Sequence, residues 1–182
     1  ALAAAKKRLI YNEFFLFSLS LALQGKKKRE GNAVICSKQN ISPLLSQLPY
    51  ELTAAQKRCV SEIAADMKKD VPMRRMLIGD VGSGKTIVAA SAMLIAVMSG
   101  RQAALMAPTE ILAAQHYGDL SELLGKLGVR CALLVGSMTA AQKKKVHNAA
   151  ATGEIDVLIG TQALISDGVE FASPGLVVAD EQ

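Results

Sequence analysis

Eight consecutive residues, Gly79-Asp80-Val81-Gly82-Ser83-Gly84-Lys85-Thr86, carry the spacing G-x-x-x-x-G-K-[ST]. Each position has a physical job. Gly79 and Gly84 let the backbone turn sharply and approach an anion with no Cβ in the way. The N–H groups of the loop, those of Asp80, Gly82 and Ser83 among them, then point inward and cradle that anion. Lys85 adds a point charge for the β- and γ-phosphates of a nucleotide, and Thr86 adds a hydroxyl ligand for Mg²⁺. A helix that starts here puts its positive end on the same phosphates. The expected ligands are ATP and Mg²⁺. The alternative is a coincidental glycine turn.

A second group lies about a hundred residues on. The apolar run Leu176-Val177-Val178-Ala179 ends in Asp180-Glu181. Two solvated acids at a strand end are one reading of it. Paired with the upstream loop, Asp180 would hold Mg²⁺ through water, and Glu181 would orient or deprotonate an attacking water. Lys85, Asp180 and Glu181 then form the catalytic set. Four further candidates each have two readings. Gln56 is a ligand or only a capping residue. Pro108-Thr109 is a contact or only a helix start with Thr109 as N-cap. Gly136-Ser137 and Gly160-Thr161 are contacts or simple turns.

These residues need a scaffold, and the rest of the chain supplies one. The 182 residues are 51% hydrophobic, with no Trp, which suits strands that read as continuous apolar runs between covering helices. Strands are expected near 75–79, 103–107, 130–135, 155–160 and 175–180, and helices near 85–98, 110–125 and 140–151. Thr53-x-x-Gln56 and Thr139-x-x-Gln142 have capping-box spacing. The first opens a helix whose Val60, Ile63 and Met67 share a face. Alternation of this kind predicts an α/β fold with a mainly parallel sheet. Every candidate above then falls beyond the carboxyl ends of strands, where such sheets bind ligands.

Upstream, residues 1–24 read as one long helix, with Ile10, Phe14, Phe17 and Leu21 at helical spacing. Lys6-Lys7-Arg8 and the apolar run after it imitate a targeting segment, but the run is shorter than a bilayer requires. Residues 25–32 are a basic breaker, a solvated linker or a phosphate-contacting patch. Residues 31–47 read as loop or disordered linker. The domain proper is expected over 48–182. Net charge is +5, compatible with nucleic acid. Cys36, Cys59 and Cys131 have no metal-like spacing and read as reduced thiols of a cytoplasmic protein. His116 and His147 are too scattered for a metal site.

Together these segments resemble the first motor domain of a superfamily 2 helicase, a P-loop NTPase with a RecA-like sheet and helices on both faces. Leu52-Thr53-Ala54-Ala55-Gln56 resembles the Q motif, in which Gln reads the adenine edge. Gly79 to Thr86 resembles motif I. Ala107-Pro108-Thr109-Glu110-Ile111-Leu112-Ala113-Ala114-Gln115-His116 resembles motif Ia. Gly136-Ser137 and Gly160-Thr161-Gln162-Ala163-Leu164-Ile165 resemble the next DNA-contacting motifs, and Asp180-Glu181-Gln182 the start of motif II. Within the superfamily the segments are most similar to the bacterial RecG family, ATP-dependent helicases that remodel branched DNA and stalled forks. The Mfd translocases are the nearest relatives of that family.

The resemblance implies DNA held mainly by phosphate contacts from Pro108, Thr109, Gly136, Ser137, Gly160 and Thr161. Residues 1–24 then resemble the helix between the wedge domain and the motor. Gln162 and Ala179 depart from the family pattern, at positions that carry no phosphate or metal group. Motif III, the second motor domain and the wedge are not matched by any segment. By the resemblance, a strand belongs between the phosphate-loop strand and the motif II strand. The isolated chain is therefore expected to bind nucleotide weakly, hydrolyse it little and unwind nothing. Two other classes compete: a small-molecule kinase built on the same loop, and a non-enzymatic nucleotide-gated interaction module.

Overall fold

Local chemistry fixes where the helices start. The computed structural model describes residues 6, 8, 11–16, 18–19, 33–38, 40–165 and 169–180. Thr53 and Thr139 each close a capping box. The Thr hydroxyl accepts the N–H of Gln56 or Gln142, and that glutamine's carbonyl oxygen accepts the threonine N–H at 2.9 Å. Thr109 caps a third helix by accepting the Leu112 N–H at 3.3 Å. A polar cap of this kind satisfies N–H groups that the first helical turn leaves unpaired.

From residue 40 onward the helices are α1 (Ser42–Leu45), α2 (Ala54–Asp66), α3 (Lys85–Met98), α4 (Glu110–Gly125) and α5 (Ala140–Ala151). The strands are β1 (Gln102–Met106), β2 (Cys131–Leu134), β3 (Val157–Gly160) and β4 (Pro174–Ala179). They form one sheet in the order β2-β3-β1-β4, with every pair parallel. A short 3₁₀ turn, Gln162–Leu164, follows β3.

Side chains of a strand alternate between the two faces of its sheet, and the core divides accordingly. Ala103, Leu105, Val157 and Ile159 pack with α2, α3 and α4. Leu134 and Leu158 pack on the other face with Ala150 of α5 and Ile155. Helices therefore cover both faces, as an all-parallel sheet requires. The most central helix is α3, whose residues 90–96 are all buried. Its one buried hydroxyl, on Ser91, donates to the Ile87 carbonyl at 2.8 Å. At the start of β1 the buried Gln102 amide is fully used. Its nitrogen donates to the carbonyls of Ala150 (2.9 Å) and Ile155 (2.7 Å), and its oxygen accepts the Ser173 N–H.

The structure corrects one expected strand. Residues 72–80 carry no sheet pairing. Met73 and Leu77 pack against the core, while Met76 and Ile78 are 78% and 85% exposed. An extended apolar run becomes a strand only when a neighbour takes its N–H and C=O groups, and none of β1–β4 does so. Ion pairs hold the run instead. The Arg75 guanidinium binds Glu62 at 2.6 Å and Asp66 at 2.5 Å on α2. Hydrogen bonds from Lys69 and Arg75 hold the Asp66 carboxyl below its ordinary value.

Upstream of α2, residues 33–38 and 40–47 are irregular apart from α1, yet they are anchored: Cys36 and Leu44 are wholly buried. Burial pushes the Cys36 thiol up, as it does that of Cys131, which makes both poor nucleophiles. Every described residue before 20 is helical, and the rings of Tyr11 and Phe15 stack at 6.1 Å. Of the expected packing face, Phe14 alone is described, and it is exposed. Ile10, Phe17 and Leu21 and the basic breaker lie outside the described residues. Among the described residues no helix is long and apolar enough to cross a membrane.

Candidate functional site

The parallel register sets the site. Met106 of β1 stands opposite Gly160 of β3 and Ala179 of β4, and Gly160 stands opposite Leu134 of β2. These four residues form one row at the carboxyl edge. Pro108, Thr109, Gly136, Ser137, Thr161 and Asp180 all follow within three residues of it. Backbone bonds lock the row: Ala107 N–H to the Gly160 carbonyl at 2.8 Å, and Asp180 N–H to the Met106 carbonyl at 2.9 Å. The eight-residue loop belongs to the same edge. Helix α3 leads to β1 through Ser99, Gly100 and Arg101 only, and it packs on β1 and β4. Its N-terminus, where the loop ends, therefore lies toward the strands' carboxyl ends.

Within the loop, Gly82 and Gly84 have φ of 78° and 77°, a region that L side chains rarely adopt. At Gly84 a Cβ would also stand 2.4 Å from the amide nitrogen of Gln56. That nitrogen donates to the Ser83 carbonyl at 2.9 Å, while the amide oxygen completes the α2 capping box. Gln56 is thus cap and loop contact at once: the capping reading holds, and the side chain also reaches the loop. Both polar atoms face partners on or beside the loop. An adenine edge would have to be read by exchanging these bonds.

The Lys85 ammonium crosses the loop and donates to the carbonyls of Gly79 (2.8 Å) and Asp80 (2.9 Å). A phosphate would compete with two neutral acceptors, which an anion does easily. Asp80, Ser83 and Thr86 are exposed. Ser83 N–H is tied to the Asp80 carbonyl at 3.1 Å, and a Cβ on Gly79 would meet the Ser83 hydroxyl at 2.7 Å. The tight turn, the absent Cβ atoms, the lysine and the free Thr86 hydroxyl together fit a Mg²⁺-bound polyphosphate.

On the other side of the edge, Glu110 joins the start of α4 to the loop after β2. Its carboxylate accepts the Ser137 N–H at 3.0 Å and the Ser137 hydroxyl at 2.6 Å. These bonds hold the Glu110 carboxyl below its ordinary value. Gly136 leaves room for that carboxylate, since a Cβ there would meet it at 2.9 Å. Lys143 donates to the Gly136 carbonyl at 2.6 Å. Gly160 serves packing, since a Cβ there would lie 2.2 Å from the Leu134 carbonyl. The Thr161 side chain makes no cap bond to the 3₁₀ turn that follows.

Asp180 meets an unexpected partner. His116, two turns into α4, brings Nε2 to 2.7 Å from its Oδ2. The sequence offers no signal for this pair, whose members are 64 residues apart. Glu181 and Gln182 lie outside the described residues. Another ion pair stands at the opposite edge of the sheet. Arg130 embraces Asp156 with bonds of 2.8–2.9 Å between the residues just before β2 and β3.

Comparison with known proteins decides the family. A family model described as DEAD/DEAH box helicase matches residues 53–182. The chain belongs to the DEAD/DEAH box helicase family. It is 51% identical to the ATP-dependent DNA helicase RecG of Aquifex aeolicus over 97% of its length, which is 22% of that relative. It is 46% identical to RecG of Bacillus subtilis over 100% of its length, or 27% of the relative. A solved structure of RecG bound to a three-way DNA junction superposes with a TM-score of 0.86 at 42% identity. That match covers 97% of the chain and 24% of the solved one. The RecA-like helicase fold expected from the motifs is therefore the one observed. A hypothetical RNA helicase from Sulfolobus tokodaii, 17% identical with a TM-score of 0.53, shares the fold alone. The chain spans about a quarter of the length of the curated relatives it matches.

Proposed function

We propose that this chain carries the nucleotide-holding part of the first motor domain of an ATP-dependent DNA helicase that remodels branched DNA and stalled replication forks. Residues 48–182 form the motor part, and residues 1–30 are the connecting helix and basic breaker, beside a wedge domain. A second motor domain completes the machine. The observation that carries the reading is the shared edge: residues 79–86, Asp180 and the loops after β1, β2 and β3 lie toward one row of strand ends. The superposition on a junction-bound RecG supports it.

In this reading the loop amides and Lys85 hold the β- and γ-phosphates, and Gln56 selects the base. Thr86 and Asp180 hold Mg²⁺, which when bound neutralises charge on the phosphates. Glu181 accepts a proton from the attacking water. Thr109, Ser137 and Thr161 present hydroxyl groups, and Pro108, Gly136 and Gly160 shape the loops around them. Such contacts hold a DNA strand by its phosphates without reading sequence. The helicase belongs in the cytoplasm. The relatives favour the RecG reading over a transcription-repair translocase.

Lys85→Ala tests the reading in the intact gene product. Loss of DNA-stimulated ATP hydrolysis, with binding of branched DNA retained, is the expected result. Undiminished hydrolysis would remove the nucleotide site. The 182-residue chain expressed alone should bind a fluorescent ATP analogue and turn ATP over slowly. If Lys85→Ala changes no turnover while partner binding is kept, the non-enzymatic module becomes the better description.

A further inference from the structure

His116, the partner of Asp180, has no role assigned above. A carboxylate has only acceptors to offer, so the Nε2 of His116 carries the proton and donates. The ring is largely buried, with 14% of its side chain exposed, and among the described residues its Nδ1 has no hydrogen-bond partner. Asp180 is therefore the imidazole's one hydrogen-bond partner among the described residues. A leucine would fill similar space with no polar atom to desolvate. The ring is placed where packing alone would not ask for it.

The bond restricts the carboxylate. With Oδ2 held by His116 and the backbone N–H held by the Met106 carbonyl, one oxygen is left for a cation. Losing a group that fixes a ligating carboxylate in this way typically costs about 10–100-fold in metal affinity or activity. Helix α4 carries a second consequence. Its N-terminus bears Thr109 and Glu110, and Glu110 grips both donors of Ser137. His116 lies six residues further along, about 9 Å on the same rigid rod. A phosphate at Ser137 must displace or share the Glu110 carboxylate, which bears on the helix that holds Asp180.

We propose that His116 is a positioning residue for the metal-holding carboxylate of Asp180. Through this hydrogen bond, α4 couples occupancy of the DNA-facing loops to the nucleotide site. The proposal rests on the function proposed above and adds to it a named path between the two sites.

The test uses the intact gene product with His116→Ala and His116→Gln, the latter carrying an amide donor at similar reach. Two quantities are measured: the Mg²⁺ concentration for half-maximal binding of a fluorescent, non-hydrolysable ATP analogue, and the ratio of ATP hydrolysis with and without a branched DNA. His116→Ala should raise the Mg²⁺ half-point by about tenfold or more and shrink the DNA ratio. His116→Gln should restore most of both. A Mg²⁺ half-point or DNA ratio within twofold of the parent in His116→Ala overturns the proposal. So does a glutamine variant no better than alanine when both melt like the parent. If either variant melts early, only rescue of both readouts by His116→Gln counts as support, and its absence overturns the proposal. Lys85→Ala, run in parallel, separates the failures. If it keeps DNA-stimulated hydrolysis, the functional reading falls, whatever His116 does.

Discussion

Two glycines of the phosphate loop provide a controlled pair. Gly82 and Gly84 share a φ within one degree of each other, 78° and 77°, so alanine carries a left-handed-φ cost at both. That cost is about 1–2 kcal/mol for an L residue in the left-handed region. Their surroundings differ. A Cβ on Gly82 has nothing within 4 Å, whereas one on Gly84 meets the Gln56 amide nitrogen at 2.4 Å. Gly84→Ala must therefore expel the amide from the Ser83 carbonyl, losing a hydrogen bond worth about 0.5–1.5 kcal/mol. Gly82→Ala should cost about 1–2 kcal/mol and Gly84→Ala about 2–3 kcal/mol. At this chain length each kcal/mol lowers Tm by about 2–4 °C.

A thermodynamic cycle isolates the side-chain part. In a Gln56→Ala background the amide is gone, so the excess cost of Gly84→Ala over Gly82→Ala should vanish. Urea unfolding followed by circular dichroism gives all six stabilities. Contacting residues are expected to couple in such a cycle. Equal costs at the two glycines in the parent would refute the account, as would an excess that survives loss of Gln56. Either result would mean that Gln56 does not brace the loop.

Two further outcomes follow from the bonds at other elements. Thr139→Ala removes the hydroxyl half of the α5 capping box and should cost about 1 kcal/mol in urea unfolding; Thr139→Ser should recover most of it. Asp156→Asn breaks the pair with Arg130 and should cost about 1–2 kcal/mol, discounted because Arg130 is half exposed. Burial opposes ionisation of Asp156, but the Arg130 guanidinium and N–H outweigh it and hold its carboxyl below the ordinary value. A carboxyl depressed in the folded state stabilises fully above its unfolded value, and that contribution is lost as pH falls through the folded value. The stability gap between parent and Asp156→Asn should therefore be constant near neutrality and close in acid. A gap that widens in acid would contradict the assignment.

What could be read from the sequence divides by range. The bounds of α3, α4 and α5 were legible because each start is written in neighbouring residues: Gly84-Lys85, Thr109 and Thr139. The four formed strands were legible because runs such as Val157-Leu158-Ile159 have no other stable fate than burial between helices. The same logic failed at Met76-Leu77-Ile78. That run is as apolar, but strand formation is a property of a pair, and no described strand takes its backbone groups. The anchoring of Cys36 and Leu44 was invisible for a related reason: one buried side chain in irregular backbone and one in a four-residue helix leave no period to detect.

At the site, residue types announced the phosphate loop and Asp180, because their chemistry depends on contiguous residues. The contacts that brace them did not show. Gln56 reaches Ser83 across 27 residues, Glu110 reaches Ser137 across 27, and His116 reaches Asp180 across 64. Gln56 and Glu110 sit at helix starts that the sequence did reveal, which is why they read first as helix chemistry, whereas His116 lies further along its helix and carried no signal. The fold converts helix-start residues into braces because parallel strands deliver every loop to one edge, where side chains from consecutive helices meet. A motif read in isolation therefore names the groups proposed to touch phosphate. The residues that hold those groups still are found only where the topology brings distant helix starts together.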